Sequence, residues 1–165
     1  MQYPIKLFLS LSLFSFLGFS QSSIDEAIEK FNTGSINYIS VEALKDKLDA
    51  GQDLILLDTR AKKEFRVSHL KNAIWVGYDN FDIKKVKQLD KNTEIVVYCS
   101  IGVRSEQIGE QLKAMGFKNI NNLYGGIFEW SNQGYPVYQK GNQTQKVHAY
   151  DKFWGKFLER GQKIF

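Results

Sequence analysis

The chain has 165 residues, with 22 Lys plus Arg against 18 Asp plus Glu and a formal net charge of +4. At 43% hydrophobic and 14% aromatic it can build one core of ordinary size, which excludes a disordered or collagen-like chain and leaves little room for a second domain. One cysteine excludes an internal disulfide and, with only two histidines, also excludes a zinc finger or an all-cysteine zinc site. The positive charge is scattered and forms no basic block, so nucleic acid is not an expected partner.

Residues 1–20 read as an export signal. Lys6 supplies the positive start, Leu7 to Phe19 carries no charge, and Gly18-Phe19-Ser20 puts small residues where signal peptidase reads, which places cleavage before Gln21. The alternative, an uncleaved membrane anchor, needs roughly 20 apolar residues, and this run is shorter and interrupted by serines. No cysteine follows the apolar run to accept a lipid. The expectation is an exported protein, periplasmic or extracellular, with no stable membrane anchor after cleavage. In an oxidising compartment most cysteines are paired, so a lone Cys99 is either buried and inert or reactive and kept for chemistry.

Residues 21–35 form a helical lead-in. Ser23 and Glu26 have the spacing of a capping box, and Ile24, Ala27, Ile28 and Phe31 follow at helical spacing. Ile36 to Ile39 is a strand, and Ser40 caps a helix whose apolar face is Val41, Leu44 and Leu48, ended by Gly51. Leu54 to Leu57 and Ile95 to Tyr98 are unbroken apolar runs, as in strands buried on both faces of a parallel sheet. Ile83, Val86 and Leu89 predict a helix between them. Ile108, Leu112 and Met115 predict another, stopped by Gly116. Ile120 to Leu123 is a further strand, and Ile127 to Gln133 a short helix. Strands alternating with helices in this way predict an α/β domain over 36–138 with a mainly parallel sheet. In the tail, 139–165, Tyr150, Phe153, Trp154, Phe157 and Leu158 fall at helical spacing among Lys152, Lys156 and Arg160. They predict an amphipathic helix, weakened by Gly155, packed by its aromatic face on the domain; a partner or membrane surface is the alternative.

The segment Cys99-Ser100-Ile101-Gly102-Val103-Arg104-Ser105 joins a buried strand to a helix beginning near Ser105. Ligands of α/β sheets bind at the carboxyl ends of strands, and the helix directs free N–H groups and its positive dipole end at the loop. A thiolate at Cys99 is stabilised there. Gly102 lets the loop curl so that the backbone N–H groups of Ser100 to Val103 converge as an anion nest, and Arg104 adds a charged fork of donors. A buried structural cysteine is the competing reading; Gly102 and Arg104 at these spacings favour an active site.

Cys99 to Ser105 resembles the active-site loop of rhodanese-type sulfurtransferases, C-x-x-G-x-R-S. A second stretch, Leu56-Leu57-Asp58-Thr59-Arg60, Glu64-Phe65, His69-Leu70 and Ala73, resembles the family pattern L-L-D-x-R, E-F, G-H-I, A. A third, Leu123-Tyr124-Gly125-Gly126 with Trp130 and Gly134-Tyr135-Pro136-Val137, resembles its closing motif. The one departure is Ser68 in place of Gly, for which a local backbone adjustment is expected. The resemblance spans about residues 36 to 138 and implies a five-stranded, mainly parallel rhodanese-like sheet with helices on both faces. It also implies transfer of a sulfane sulfur from a small donor such as thiosulfate to cyanide, a small thiol or a thiol protein, through a Cys99 persulfide. It implies no metal and no organic cofactor. Asp58 and Arg60 either shape the site rim or form a structural ion pair, Arg60 with Glu64 being one such pairing. His69 is read as held by hydrogen bonds in a turn, and Trp130 as core.

Three rival functions follow from the same residues. Cysteine phosphatases or arsenate reductases of related fold use a loop one residue longer than the four that separate Cys99 from Arg104. A non-catalytic rhodanese-like binding module is the second rival, set against the retention of Cys99 and Arg104. The third is a thiol oxidoreductase or sulfur carrier, which differs from the main reading only in the acceptor.

Overall fold

The two apolar runs lie in the interior of a five-stranded sheet, where helices cover both faces. The computed structural model describes residues 21–165, so the export signal expected at 1–20 lies outside the described residues. β2 (Ile55–Asp58) and β4 (Glu94–Tyr98) pair in parallel, with Leu57 opposite Val97. β5 (Asn119–Leu123) follows β4, β1 (Asn37–Ile39) closes one edge and β3 (Ile74–Trp75) the other, giving the all-parallel order β1-β5-β4-β2-β3. Alternate side chains enter opposite layers, as a period of two requires. Leu56, Val96, Tyr98 and Leu123 meet α1 (Gln21–Phe31), α2 (Val41–Asp49) and α5 (Gly126–Asn132) on one face. Leu57, Ile95, Val97 and Ile120 meet α4 (Val103–Ala114) on the other through Ile108 and Leu112.

Local signals account for the helix boundaries. The Ser40 hydroxyl accepts the Ala43 amide at 3.2 Å and caps α2. α1 already contains Gln21 and Ser22, so Ser23 lies within the helix and is not its N-cap. The turn after α1 is held by the buried Glu106 carboxylate, which accepts the amides of Thr33 and Ser35 at 3.2 and 2.9 Å and so ties the lead-in to α4. α3 (Lys62–Val67) follows β2 and buries Glu64. The helix expected around Val86 shrinks to a 3-10 turn, Ile83–Lys85, started by the Asp82 side chain. A segment this short does not repay helix nucleation, and burying Val86 is enough to pin it.

The tail departs from its predicted amphipathic helix. β6 (Val137–Gln139) and β7 (Asn142–Thr144) form an antiparallel hairpin, β8 (Lys146–His148) pairs in parallel with β9 (Gln162–Ile164), and only a 3-10 turn, Trp154–Phe157, lies between them. The periodicity was satisfied by tertiary burial instead. Gly155 rests on Ala149 so closely that a Cβ would come within 3.0 Å of the Ala149 Cβ. Phe157 and Leu158 are buried in the same core layer as Val147 and Ala149, while Phe153 is 61% exposed. The Asn132 side chain clamps this segment, donating to the Phe157 carbonyl at 2.9 Å and accepting the Glu159 amide at 2.7 Å.

Ending the chain before Lys146 removes Val147, Phe157 and Leu158 from the core. At about 1.5–3 kcal/mol for each side chain, stability is expected to fall by several kcal/mol in denaturant titration. An unchanged midpoint would show that the tail does not hold the core.

Candidate active site

The carboxyl end of β4 delivers Cys99 into a tight loop, and α4 starts sooner than predicted, at Val103, with Gly102 as its N-cap. Gly102 has φ 105°, which a side chain rarely adopts, and an added Cβ would sit 3.2 Å from the Leu123 carbonyl. The loop carbonyls are drawn away from the thiol. Those of Cys99 and Ser100 accept the amides of Ile127 and Phe128, each at 3.0 Å, and that of Gly102 accepts the side-chain amides of Asn122 and Asn32 at 2.7 and 3.0 Å. The first requires α5 to approach very closely: a Cβ on Gly126 would lie 2.5 Å from the Cys99 carbonyl oxygen. With its carbonyls held this way, the loop turns amides toward the sulfur, and the Gly102 N–H donates to Cys99 Sγ at 3.2 Å.

Cys99 is 1% exposed. Burial pushes its thiol pKa up, but the Arg104 charge, the Ser105 hydroxyl and amide and the Gly102 amide together bring it below the ordinary thiol value. Arg104 is positioned by a buried carboxylate that the sequence reading had offered to Arg60. Its Nη1 and Nη2 donate to Glu64 Oε2 and Oε1, both at 3.0 Å, and Nη2 also donates to Ser100 Oγ at 3.0 Å. Ser100 Oγ in turn donates to Glu64 Oε1 at 3.3 Å, and Glu64 Oε2 accepts the Ala61 amide at 2.9 Å. Burial would raise the Glu64 carboxyl; hydrogen bonds and charge from Arg104, the charge of Arg60 and the Ala61 amide hold it below the usual carboxylate range. The fork expected to be open for an anion is thus engaged by Glu64. The guanidinium also lies over the Tyr150 ring, 4.8 Å from its centroid.

Asp58 and Arg60 are not at the rim. Both side chains are fully buried and pair with each other, Arg60 Nη2 to Asp58 Oδ2 at 2.7 Å, with a second bond to the Ser68 carbonyl at 2.6 Å. Because the partners are two residues apart, Asp58 outcompetes Glu64 for Arg60. The Arg60 guanidinium lies over the ring of Tyr98, which precedes Cys99, 5.8 Å from its centroid. Ser68 needs no special backbone: its φ of −166° is ordinary extended chain, although its buried hydroxyl has no partner among the described residues. His69 stacks on Phe65 at 4.2 Å, its Nδ1 lies 3.0 Å from the Leu70 carbonyl, and Trp130 is buried with its N–H on the Pro136 carbonyl.

Cys99, Ser100, Ile101, Val103 and Arg104 come together around one cavity of about 160 Å³ that opens to solvent; Phe31, Tyr150 and Trp154 complete its lining. Those three come from the lead-in and the tail, segments that motif reading left out of the site. Glu64 was also missed as the partner of Arg104; the only hint was its place in the Glu64-Phe65 motif. Chemically, the arrangement is a buried thiol at a strand–loop–helix junction, with amide donors and a guanidinium placed to stabilise its ionised form.

This combination of parallel sheet and cysteine loop defines an α/β domain with a single thiol at the carboxyl end of its central strand. A family model described as Rhodanese-like domain matches residues 40–133, more than half of the chain, and the chain belongs to that family as a single rhodanese-like domain. It is 32% identical over 102 residues to a putative sulfur carrier protein, YrkF, of Bacillus subtilis, covering 62% of this chain and 55% of that protein. It is 34% identical over 122 residues to the tRNA uridine(34) hydroxylase of Photorhabdus laumondii, covering 68% of this chain and 34% of that one. The chain therefore spans about half the length of the first relative and a third of the second. The crystal structure of a rhodanese-related protein from Thermoplasma volcanium superposes with a TM-score of 0.55 at 29% identity, covering 63% of this chain and 99% of that one.

Proposed function

We propose that the protein is a sulfurtransferase that carries a sulfane sulfur on Cys99 from a small donor, such as thiosulfate, to a thiophilic acceptor. The observation that carries this reading is the Cys99 thiol, lowered in pKa, bonded by the Gly102 amide and opening on a pocket beside Arg104. The thiolate attacks the sulfane sulfur of thiosulfate, the sulfur–sulfur bond breaks, and sulfite leaves with the bonding electrons. The persulfide so formed then yields its outer sulfur to cyanide or a thiol. Amides of the Ser100–Val103 loop stabilise the charge on both sulfur species, and Arg104, set by Glu64, supports them electrostatically. A sulfur-carrier role, with a thiol protein as acceptor, uses the same persulfide; the relative named as a sulfur carrier favours keeping it as the second reading.

The test is a steady-state assay of the mature protein with thiosulfate and cyanide, following thiocyanate, beside a parallel assay with an aryl phosphate. Thiocyanate without phosphate release is expected. Phosphate release alone would place the protein with the cysteine phosphatases, and neither activity with any sulfane donor would leave a binding module.

Export is part of the same proposal. Charged Lys6, the uncharged run to Phe19 and the Gly18-Phe19-Ser20 site are its support. Fractionation and N-terminal sequencing are expected to find a protein starting at Gln21 outside the inner membrane. A cytosolic protein that retains residues 1–20 would refute it.

A further inference from the structure

The tail lays one ring on the residue whose charge acts on Cys99. Tyr150 falls outside the stretch 40–133 that the family model matches, yet its ring lies over the face of the Arg104 guanidinium, 4.8 Å from Cζ to the ring centroid. Glu64 binds the edge of the same group through Nη1 and Nη2, and Nη2 also donates to Ser100 Oγ. Edge and face are thus held by different segments, α3 and the tail, and the Arg104 side chain is left 19% exposed. The groups that face this charge are Glu64 from α3, Cys99 from its own loop and Tyr150 from the tail.

Tyr150 stands there in a conformation that its own backbone resists. Its φ of 67° is left-handed, a region that glycine enters freely and a bulky side chain does not. Core burial does not account for the strain, because the residue is 43% exposed. What holds it is local. The Tyr150 amide donates to His148 Nδ1 at 3.0 Å, and His148 is buried at the end of β8, which packs against α3. Accepting that N–H requires an unprotonated Nδ1. Burial, then the charges of Lys63, Arg60 and Arg104 against the pull of Glu64, keeps the His148 pKa below its ordinary value and so preserves the acceptor. Strain maintained at a solvent-facing position beside a reactive group points to a use for the side chain.

We propose that Tyr150 is a positioning residue for Arg104: its ring holds the guanidinium face while Glu64 holds the edge, and it keeps water and counter-ions off the charge that faces Cys99. His148 acts one step further back, by fixing the Tyr150 backbone. This deepens the persulfide reading by naming the residue that sets Arg104 beside the thiol. A charge covered by a ring is screened less than one open to solvent, so the same guanidinium acts more strongly on the sulfur.

The experiment compares the wild type, Tyr150→Gly and Tyr150→Phe in chains with the tail intact. Glycine suits the left-handed backbone and removes only the ring, so the fold is retained; phenylalanine keeps the ring and removes the hydroxyl. The pH midpoint of Cys99 is read from the rate of alkylation by iodoacetamide, at chloride concentrations from about 0.01 to 1 M, across which the Debye length shrinks from about 30 to 3 Å. In Tyr150→Gly the midpoint is expected to rise by about 0.5 in pH at low salt and to climb further as chloride is added. Below the midpoint, sulfur loading from thiosulfate falls about threefold with it. The wild type is expected to respond little to salt, and Tyr150→Phe to recover both the midpoint and the flat response. A residue that only fills space would move the melting temperature and not the salt response. The same midpoint and salt response in the wild type and Tyr150→Gly overturns the proposal, as does a Phe variant that behaves like Gly. Alkylation needs only the thiol, so these outcomes are read whether or not sulfur is transferred. A wild type that alkylates as expected but takes up no sulfur overturns the sulfurtransferase reading and leaves the placement of Arg104 by Tyr150 standing.

Discussion

In the Cys99→Ser variant, sulfur uptake is expected to vanish, while the wild type incubated with a sulfane donor and no acceptor gains the mass of one sulfur atom on that residue. The expectation follows from the site's geometry. Cys99 accepts the Gly102 amide at 3.2 Å and feels the Arg104 charge and the Ser105 dipoles, which move its ionisation below that of an ordinary thiol. No second cysteine exists to convert the persulfide into an internal disulfide, so the loaded state accumulates. Cyanide or a small thiol is expected to return the starting mass. Serine keeps the shape but does not ionise near neutral pH and is far less nucleophilic, so both steps are lost. The pH dependence has a definite sign: the reactive form is the deprotonated one, so the loading rate falls as pH drops through the lowered Cys99 pKa and levels off above it. Intact-protein mass spectrometry reads both steps. A wild-type protein that takes up no sulfur from any sulfane donor would end the sulfurtransferase assignment.

The loop from Cys99 to Ser105 was legible in the sequence because its chemistry is local. Strand end, glycine, arginine and helix start lie within seven consecutive residues, and their backbone geometry follows from neighbours along the chain. The central strands were legible for a similar reason, since unbroken apolar runs at Leu56 and Val96 have no other stable place than between two helical layers. What was not legible depends on contacts far apart in sequence. Glu64 meets Arg104 across 40 positions, and Asn32 reaches the Gly102 carbonyl across 70. Nothing in a helical spacing of aromatics says that Trp154 will line a pocket while Phe157 enters the core, because that choice was made by the β8–β9 pairing and the Gly155–Ala149 contact. Arg60 was legible as a structural ion pair but not in its partner: Asp58, a carboxylate two residues away, captures it before Glu64 can, and both side chains are fully buried.

Replacing Arg104 by Ala is expected to damage the protein twice, and the two losses can be separated. The first is structural. Glu64 is fully buried, and its carboxylate loses the bidentate partner that offsets its desolvation, so an uncompensated buried charge remains. Breaking such a pair costs about 3 kcal/mol or more, and the Glu64 pKa moves up from its lowered value. The second loss is chemical. The positive charge that lowers the Cys99 pKa disappears, so the thiolate titration shifts to higher pH and sulfur loading falls on the order of 10²-fold or more. Lys at 104 restores charge but not the fork, and is expected to recover part of both. The double variant Arg104→Ala with Glu64→Gln distinguishes the roles. With no buried carboxylate left unpaired, most of the stability is expected to return, while the Cys99 titration and the loading rate stay displaced. Acid sensitivity follows the same logic. Because the folded-state pKa of Glu64 is depressed, the pair's contribution is complete above the ordinary carboxylate range and is lost as pH falls through that lowered value. The wild type is therefore expected to lose stability in acid more steeply than the double variant, as read by denaturant titrations at a series of pH values. If the double variant regained loading along with stability, Arg104 would serve only to neutralise Glu64, and the backbone amides of the loop would hold the thiolate without it.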